Sequence, residues 1–371
     1  MNAGPPPPLP RPDGLAGVEL LRIRLPFRRP FATSQWTSAE KDAVLVRAFA
    51  DDGAEGWGEC VAAEAPWYSS EWTRGAWFVL PDFLVPAALA GLPHGVRGHP
   101  MAAAALDVAL VDLALRQRGE NLSAHLGGVR DRVDCGVSVG LQDTIDGLLS
   151  EVDGFVRAGY RRVKLKIKPG SDVDLVRAVR ETYPSIPLTV DANAAYSMDD
   201  ADRLAELDAF SLSYIEQPLQ PDRLLDHAEL QRKLATPICL DETITSAAVA
   251  ADAIRVGACR VINIKLGRVG GLTEAVAIHD LAREAGVPVW CGGMLETGIG
   301  RAANLALASL PGFTSPGDTS ASERYFQRDL TEPFVVERDG TMAVPQGPGI
   351  GVDPLPDALR AATEERLTIR R

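Results

Sequence analysis

Five charged residues recur at nearly equal steps: Lys166, Asp191, Glu216, Asp241 and Lys265, at intervals of 25, 25, 25 and 24 residues. Three carboxylates flanked by two amines can hold a hard cation and move a proton beside it. Asp191, Glu216 and Asp241 offer only oxygen donors, with no His or Cys at matching positions, which favours Mg²⁺ or Mn²⁺ over Zn²⁺. Any one of these acids has a plainer use as a helix cap or an internal ion pair. Three of them in register with two lysines are harder to explain that way. Lys164 stands two residues before Lys166, so on a strand both point to one face. A lysine is a base near neutral pH only if its pKa is lowered. Lys164 and a metal would do this for Lys166, and Arg268, just past Lys265, would tune that residue. A metal that holds a substrate carboxylate stabilises the charge left when the α-proton departs, and one or two lysines carry the proton.

The elements that position these groups follow from the same spacing. Each rung closes a short apolar or β-branched run, and a step of one strand plus one helix predicts successive βα units. Strands are expected near Cys135–Gly140, Val163–Ile167, Leu188–Asn193, Ser213–Gln217, Ile238–Glu242, Val261–Leu266, Val287–Gly292 and, more weakly, Phe313–Asp318. Eight strands alternating with helices fit a (β/α) barrel better than a doubly wound sheet, and barrels place functional groups at the C-terminal ends of their strands. Rungs far apart in sequence would then meet at one mouth.

The first third of the chain reads differently. Val18–Leu25, Ala43–Asp51 and Trp57–Val61 alternate like an antiparallel meander, with Gly53, Gly56 and Gly58 marking a turn. Trp77–Leu89 and Met101–Leu115 repeat at helical spacing. The expected organisation is a Pro-rich tail over 1–13, an α+β capping domain over 14–132, a barrel over 133–328 and a segment, 329–371, that returns to the capping domain. Pro26–Ser38 and Glu64–Ser70 read as loops able to close over the mouth.

Composition narrows the partners. The 371 residues carry a formal charge of −12, with 46% hydrophobic and 24% charged residues. That is ordinary for a globular protein, without the basic surface a nucleic acid or anionic membrane would need. A small carboxylate substrate is the expected partner. The five cysteines are odd in number and show no Cys-x-x-Cys spacing, so they read as buried thiols. No signal peptide or membrane span is evident, so a cytoplasmic protein is expected.

Val163–Lys168, Asp191–Asn193, Ile215–Pro218, Cys239–Glu242 and Asn263–Gly271 resemble the successive signature segments of the muconate-lactonising branch of the enolase superfamily. Within it, the chain most resembles the o-succinylbenzoate synthases that also act as N-succinylamino acid (N-acylamino acid) racemases. The likeness runs on through Trp290–Arg301 and Pro316–Ser322. It implies a (β/α)₇β TIM-like barrel with an α+β capping domain formed by the N-terminal part and the C-terminal segment, and a homo-oligomer. It also implies metal ligands Asp191, Glu216 and Asp241, with Lys166 as the base for dehydration in menaquinone synthesis. Lys265 would steady the charge from the other face and share proton transfer in racemisation, and Lys164 and Arg268 would support the pair. Gly293 and Met294 would line a succinyl pocket, where the exposed amides of the Gly-rich stretch Cys291–Arg301 offer an anion site. Ser138 and Asn193 would face the same cavity.

Several rivals have sequence signatures of their own. A mandelate-racemase-type site needs a His–Asp pair, yet His94, His99, His125, His227 and His279 end none of these strands. A dipeptide epimerase usually shows Asp-x-Asp near the eighth strand, where this chain has Asp318-Thr319-Ser320. A muconate-type cycloisomerase of the same branch stays open. Outside the superfamily stand a Schiff-base aldolase using Lys265 and a non-catalytic binding barrel.

Overall fold

The computed structural model describes residues 8–32, 37–142 and 144–371. Most of the Pro-rich tail, residues 1–7, and the tip of the first expected loop, residues 33–36, therefore lie outside the described residues.

An antiparallel sheet runs in the order Thr363–Arg370, Leu15–Ala32, Thr37–Ala50, Glu55–Cys60. Strict alternation gives it two apolar faces. Leu21, Ile23, Leu25, Ala43, Leu45 and Trp57 join the core shared with the barrel, while Val18, Leu20, Val44, Val46 and Ala48 pack into a second core under the helix Pro100–Arg118. Gly53 does sit in a turn, at φ 86°. Gly56 and Gly58 do not mark a turn; they lie within the strand. A Cβ there would stand 2.3 Å from the Ala109 carbonyl oxygen or 2.0 Å from that of Ala105, so the missing side chains let the helix lie on the sheet. The segment Pro26–Ser38 is likewise not a plain loop. Its ends extend the hairpin, with Pro26 opposite Glu40 and Phe31 opposite Ser38. The first expected helix, Trp77–Leu89, starts earlier and is continuous from Thr73 to Leu89, with a π-turn over Leu80–Leu84 where Pro81 interrupts the ladder.

Seven parallel strands follow, paired in chain order: Gly136–Val139, Arg162–Lys166, Leu188–Asp191, Ile215–Glu216, Ile238–Leu240, Val261–Ile264 and Val289–Cys291. The weak eighth segment closes the ring through bridges rather than as a full strand. The Val289 amide donates to Gly312 O at 3.3 Å, Asp318 N to Cys291 O at 3.0 Å, and Gly136 N to Gly317 O at 2.7 Å. The fold is thus a (β/α)₇β barrel with a capping domain. Odd-numbered residues of the strand Arg162–Lys166, Val163 and Leu165, join the helix-covered core, which turns Arg162, Lys164 and Lys166 inward. Residues past the eighth segment run back toward the first sheet: Thr341–Ala343 pairs with Arg132–Asp134, and Thr363–Arg370 lies against Leu15–Ala32. All five cysteines are buried and free.

Candidate active site

Register brings the rungs together. Lys166 pairs with Asp191 across one strand boundary, and Asp191 with Glu216 across the next. Asp241 and Lys265 each follow the last residue of the next two strands. In a ring of eight, Lys166 and Lys265 stand on the second and sixth positions, with three strands between them in either direction, so they face each other across the mouth.

The buried acids and cations form one network. Lys164 Nζ lies 2.8 Å from Glu216, 2.9 Å from Asp318 and 3.3 Å from Asp191. Lys166 binds Asp191 at 2.7 Å and also donates to Asn193 Oδ1. Asn193 Nδ2 in turn donates to Glu242 Oε1 at 3.1 Å. Lys265 binds Asp241 at 2.8 Å, and Arg268 Nη1 pairs with the other oxygen of that carboxylate. Arg268 is fixed by donation to the Ile244 and Asn263 carbonyls. Beneath them Trp290 forms a platform: Lys164 lies 4.8 Å and Arg162 5.1 Å from its ring, and Tyr214 stacks on it.

These contacts set the protonation states. Burial alone would raise Asp191, but Lys166 and Lys164 hold it well below the usual range. Asp241 is likewise lowered against burial by Lys265 and Arg268. Burial would lower Lys265, yet Asp241 outweighs it and holds the amine up, with Arg268 only opposing the rise. The expected lowering of Lys265 is therefore not what this arrangement gives. Glu216 is pushed up to about 7 by burial and by Asp191, and Glu242 to about 8 by burial and by Asp241. Two of the acids thus remain short of positive charge.

That shortage bears on a metal. Among the described residues no three His, Cys, Asp or Glu side chains are gathered as a metal-holding group, and Asp191, Glu216 and Asp241 each sit against an ammonium group. The donors nevertheless fit a hard divalent cation. They are all oxygens at the ends of neighbouring strands, Glu216 is crowded by Asp191, Asp241 and Asp318, and Glu242 Oε2 and Asn263 Oδ1 are buried beside them without a hydrogen-bond partner.

A cavity of about 270 Å³ opens over the network. Ser138, Lys164, Lys166, Asp191, Asn193, Lys265, Gly293 and Met294 line it, whereas Glu216, Asp241 and Arg268 lie deeper. From the N-terminal part come Phe27, Phe31, Trp67 and Tyr68. The Tyr68 hydroxyl lies 3.2 Å from Lys265 Nζ and 3.1 Å from Arg268 Nη1.

Residues 16–127 match the mandelate racemase / muconate lactonizing enzyme N-terminal domain, and residues 147–358 match the enolase C-terminal domain-like family. The chain belongs to the enolase superfamily. It is 52% identical to an N-succinylamino acid racemase of Amycolatopsis sp, over 96% of this chain and 99% of the relative. An o-succinylbenzoate synthase of Geobacillus stearothermophilus is 50% identical, over 91% and 92%. A solved enolase-superfamily member from Listeria innocua superposes with a TM-score of 0.92 at 37% identity, covering 96% of this chain and 99% of that one.

The amides at the start of the helix Gly298–Ala308 are not free for a ligand. Glu59 accepts from Thr297 N and Gly300 N, Asp329 from Gly298 N, and Glu296 from Met294 N. Sequence reading also missed Tyr68, Glu242 and the structural part played by Asp318. Asp318 extends the ladder, lying two more steps of about the same length beyond Lys265, and it binds both Arg162 and Lys164. Tyr68 had no periodic signal, since it sits in an irregular segment of the other domain.

Proposed function

We propose that this chain abstracts the proton α to a carboxylate, forming o-succinylbenzoate by dehydration and racemising N-succinyl and other N-acyl amino acids. The observation that carries the reading is the opposition of Lys166 and Lys265 across one cavity, and relatives of about half identity bear both activities in their names.

In dehydration Lys166 takes the α-proton and hands it to the hydroxyl on the neighbouring carbon, which leaves as water, while Lys265 steadies the developing charge from the far face. In racemisation one lysine removes the proton and the other returns it on the opposite side. Lys164, held by three carboxylates, stays charged and adds a fixed positive potential below the reacting carbon. Asn193 orients Lys166 and is itself held by Glu242. Ser138, Gly293 and Met294 line the remaining substrate space. Asp191, Glu216 and Asp241 would hold Mg²⁺ or Mn²⁺. That ion, when bound, polarises a substrate carboxylate and competes with the ammonium groups for the acids, which favours a neutral lysine. In this reading the capping part spans 14–132 with 329–371, the barrel spans 133–328, and the protein works in the cytoplasm as a homo-oligomer.

The rivals fit less well. A Schiff-base aldolase using Lys265 has no counterpart in the two matched domains, both of which belong to the enolase superfamily. An L-Ala-D/L-Glu epimerase of Bacillus subtilis is 27% identical, but Asp318 here is already engaged by Arg162 and Lys164. Incubating N-succinyl amino acids in D₂O tests the proposal: deuterium should enter the α-position together with racemisation. Absence of exchange in metal-replete enzyme would overturn it.

A further inference from the structure

The wall of the cavity formed by Gly293, Met294 and Leu295 belongs to the barrel, yet the N-terminal sheet fastens it at two points. Lys41, on the strand Thr37–Ala50, donates from Nζ to the Met294 carbonyl at 2.9 Å. Glu59, on the strand Glu55–Cys60, accepts from Thr297 Oγ1 at 2.7 Å, from Gly300 N at 3.0 Å and from Thr297 N at 3.1 Å. Both side chains are buried. Glycine at 300 makes this possible, because a Cβ there would stand 2.9 Å from Glu59 Oε2.

Glu59 does not line the cavity, and its hydrogen bonds run to Thr297 and Gly300. Its carboxylate meets the positive end of the helix Gly298–Ala308, whose first-turn amides need acceptors. Removing it leaves buried donors unpaired, and the turn before the helix loses its anchor.

We propose that Glu59 and Lys41 form a two-point clamp by which the capping domain sets the position of Gly293 and Met294. Glu59 is then a positioning residue for substrate binding, remote from proton transfer. The kinetic arm of its test rests on the function proposed above; the exchange arm does not.

Glu59→Ala and Glu59→Gln should be compared with the wild-type chain by hydrogen–deuterium exchange and by steady-state racemisation of an N-succinyl amino acid. In Glu59→Ala, exchange should quicken at the amides of 297–300 and not across the barrel, and KM should rise about tenfold with kcat within about threefold, the effect of one or two lost hydrogen bonds. Glu59→Gln keeps one carbonyl oxygen and should fall between the two. Unchanged protection at 297–300 in both variants overturns the clamp. So does local opening with an unaltered KM, or quickened exchange throughout the chain in Glu59→Gln. If the wild-type chain shows neither racemisation nor dehydration, the functional reading fails and the exchange experiment alone decides the clamp.

Discussion

Lys166 and Lys265 face each other from the second and sixth positions of the barrel, and each ammonium is held by its own carboxylate, Asp191 at 2.7 Å and Asp241 at 2.8 Å. Two-sided proton transfer needs both, whereas dehydration needs a base on one side only. Lys166→Ala and Lys265→Ala should each lower racemisation by roughly 10²–10⁴-fold, the usual worth of a positioned acid or base. Dehydration should suffer more from Lys166→Ala. Normal racemisation by Lys265→Ala would show that only one face is used.

The proposed metal site of Asp191, Glu216 and Asp241 predicts that activity and stability respond together to a divalent cation. EDTA should abolish both reactions, and Mg²⁺ or Mn²⁺ should restore them. A cation that binds only the folded chain also stabilises it by mass action. The melting temperature should therefore rise on adding Mg²⁺, and Asp241→Asn should blunt the rise. Full activity in chelator would exclude the metal-assisted reading.

Tyr68 ties the capping domain to one of the two lysines. Its ring lies 4.6 Å from Lys265 Nζ, and its hydroxyl reaches both Lys265 and Arg268. Tyr68→Phe keeps the ring contact and removes the hydroxyl, so a loss of about tenfold is expected, as for one hydrogen bond to a charged group. Racemisation should fall further than dehydration. An equal fall in both would mean that the hydroxyl serves binding rather than Lys265.

What could be read from the sequence follows from how a barrel is built. Each βα unit delivers one residue to the mouth, so Lys166, Asp191, Glu216, Asp241 and Lys265 carry a period, and their residue types carry the chemistry. Glu59 belongs to a sheet whose alternation reports only burial and Tyr68 to the irregular segment after it, and nothing in their spacing points to a barrel loop far along the chain. The hairpin at Pro26–Ser38 was hidden for another reason: its Pro and Arg residues look like a loop, yet cross-strand pairing overrides that local preference. The lysine protonation depended on distances to Asp241 and Asp318 that no spacing encodes.

Asp318 neutralises two buried cations at once, Arg162 at 2.8 Å and Lys164 at 2.9 Å. Arg162 and Lys164 are almost wholly buried; Lys164 keeps Glu216 and Asp191 when Asp318 is removed, but Arg162 loses the carboxylate that balances its charge. Asp318→Ala should cost about 3–5 kcal/mol of folding stability, the range for breaking a buried ion pair from one side. Urea midpoints would measure it. A loss within the scatter of surface substitutions would show that the remaining acids suffice for both cations.

Glu71 gives the fold a pH dependence that can be isolated. Its carboxylate accepts from the amides of Met101 and Ala102 at the start of the helix Pro100–Arg118, at 2.7 and 3.2 Å, and His99 Nδ1 lies 3.8 Å away. Burial nevertheless pushes its pKa from 4.5 up to about 7, against the pull of those two amides. The folded chain then holds a proton that the unfolded chain releases, so this residue's contribution falls as pH rises from about 4.5 to about 7 and is level above that, by on the order of 3 kcal/mol. Glu71→Gln stays neutral and keeps one acceptor for Met101. Its stability should therefore decline less between pH 5 and pH 8 in urea titrations, as roughly estimated from the same linkage. At pH 8 it should match or exceed the wild-type chain; equal slopes in the two proteins would show that Glu71 ionises near its ordinary value.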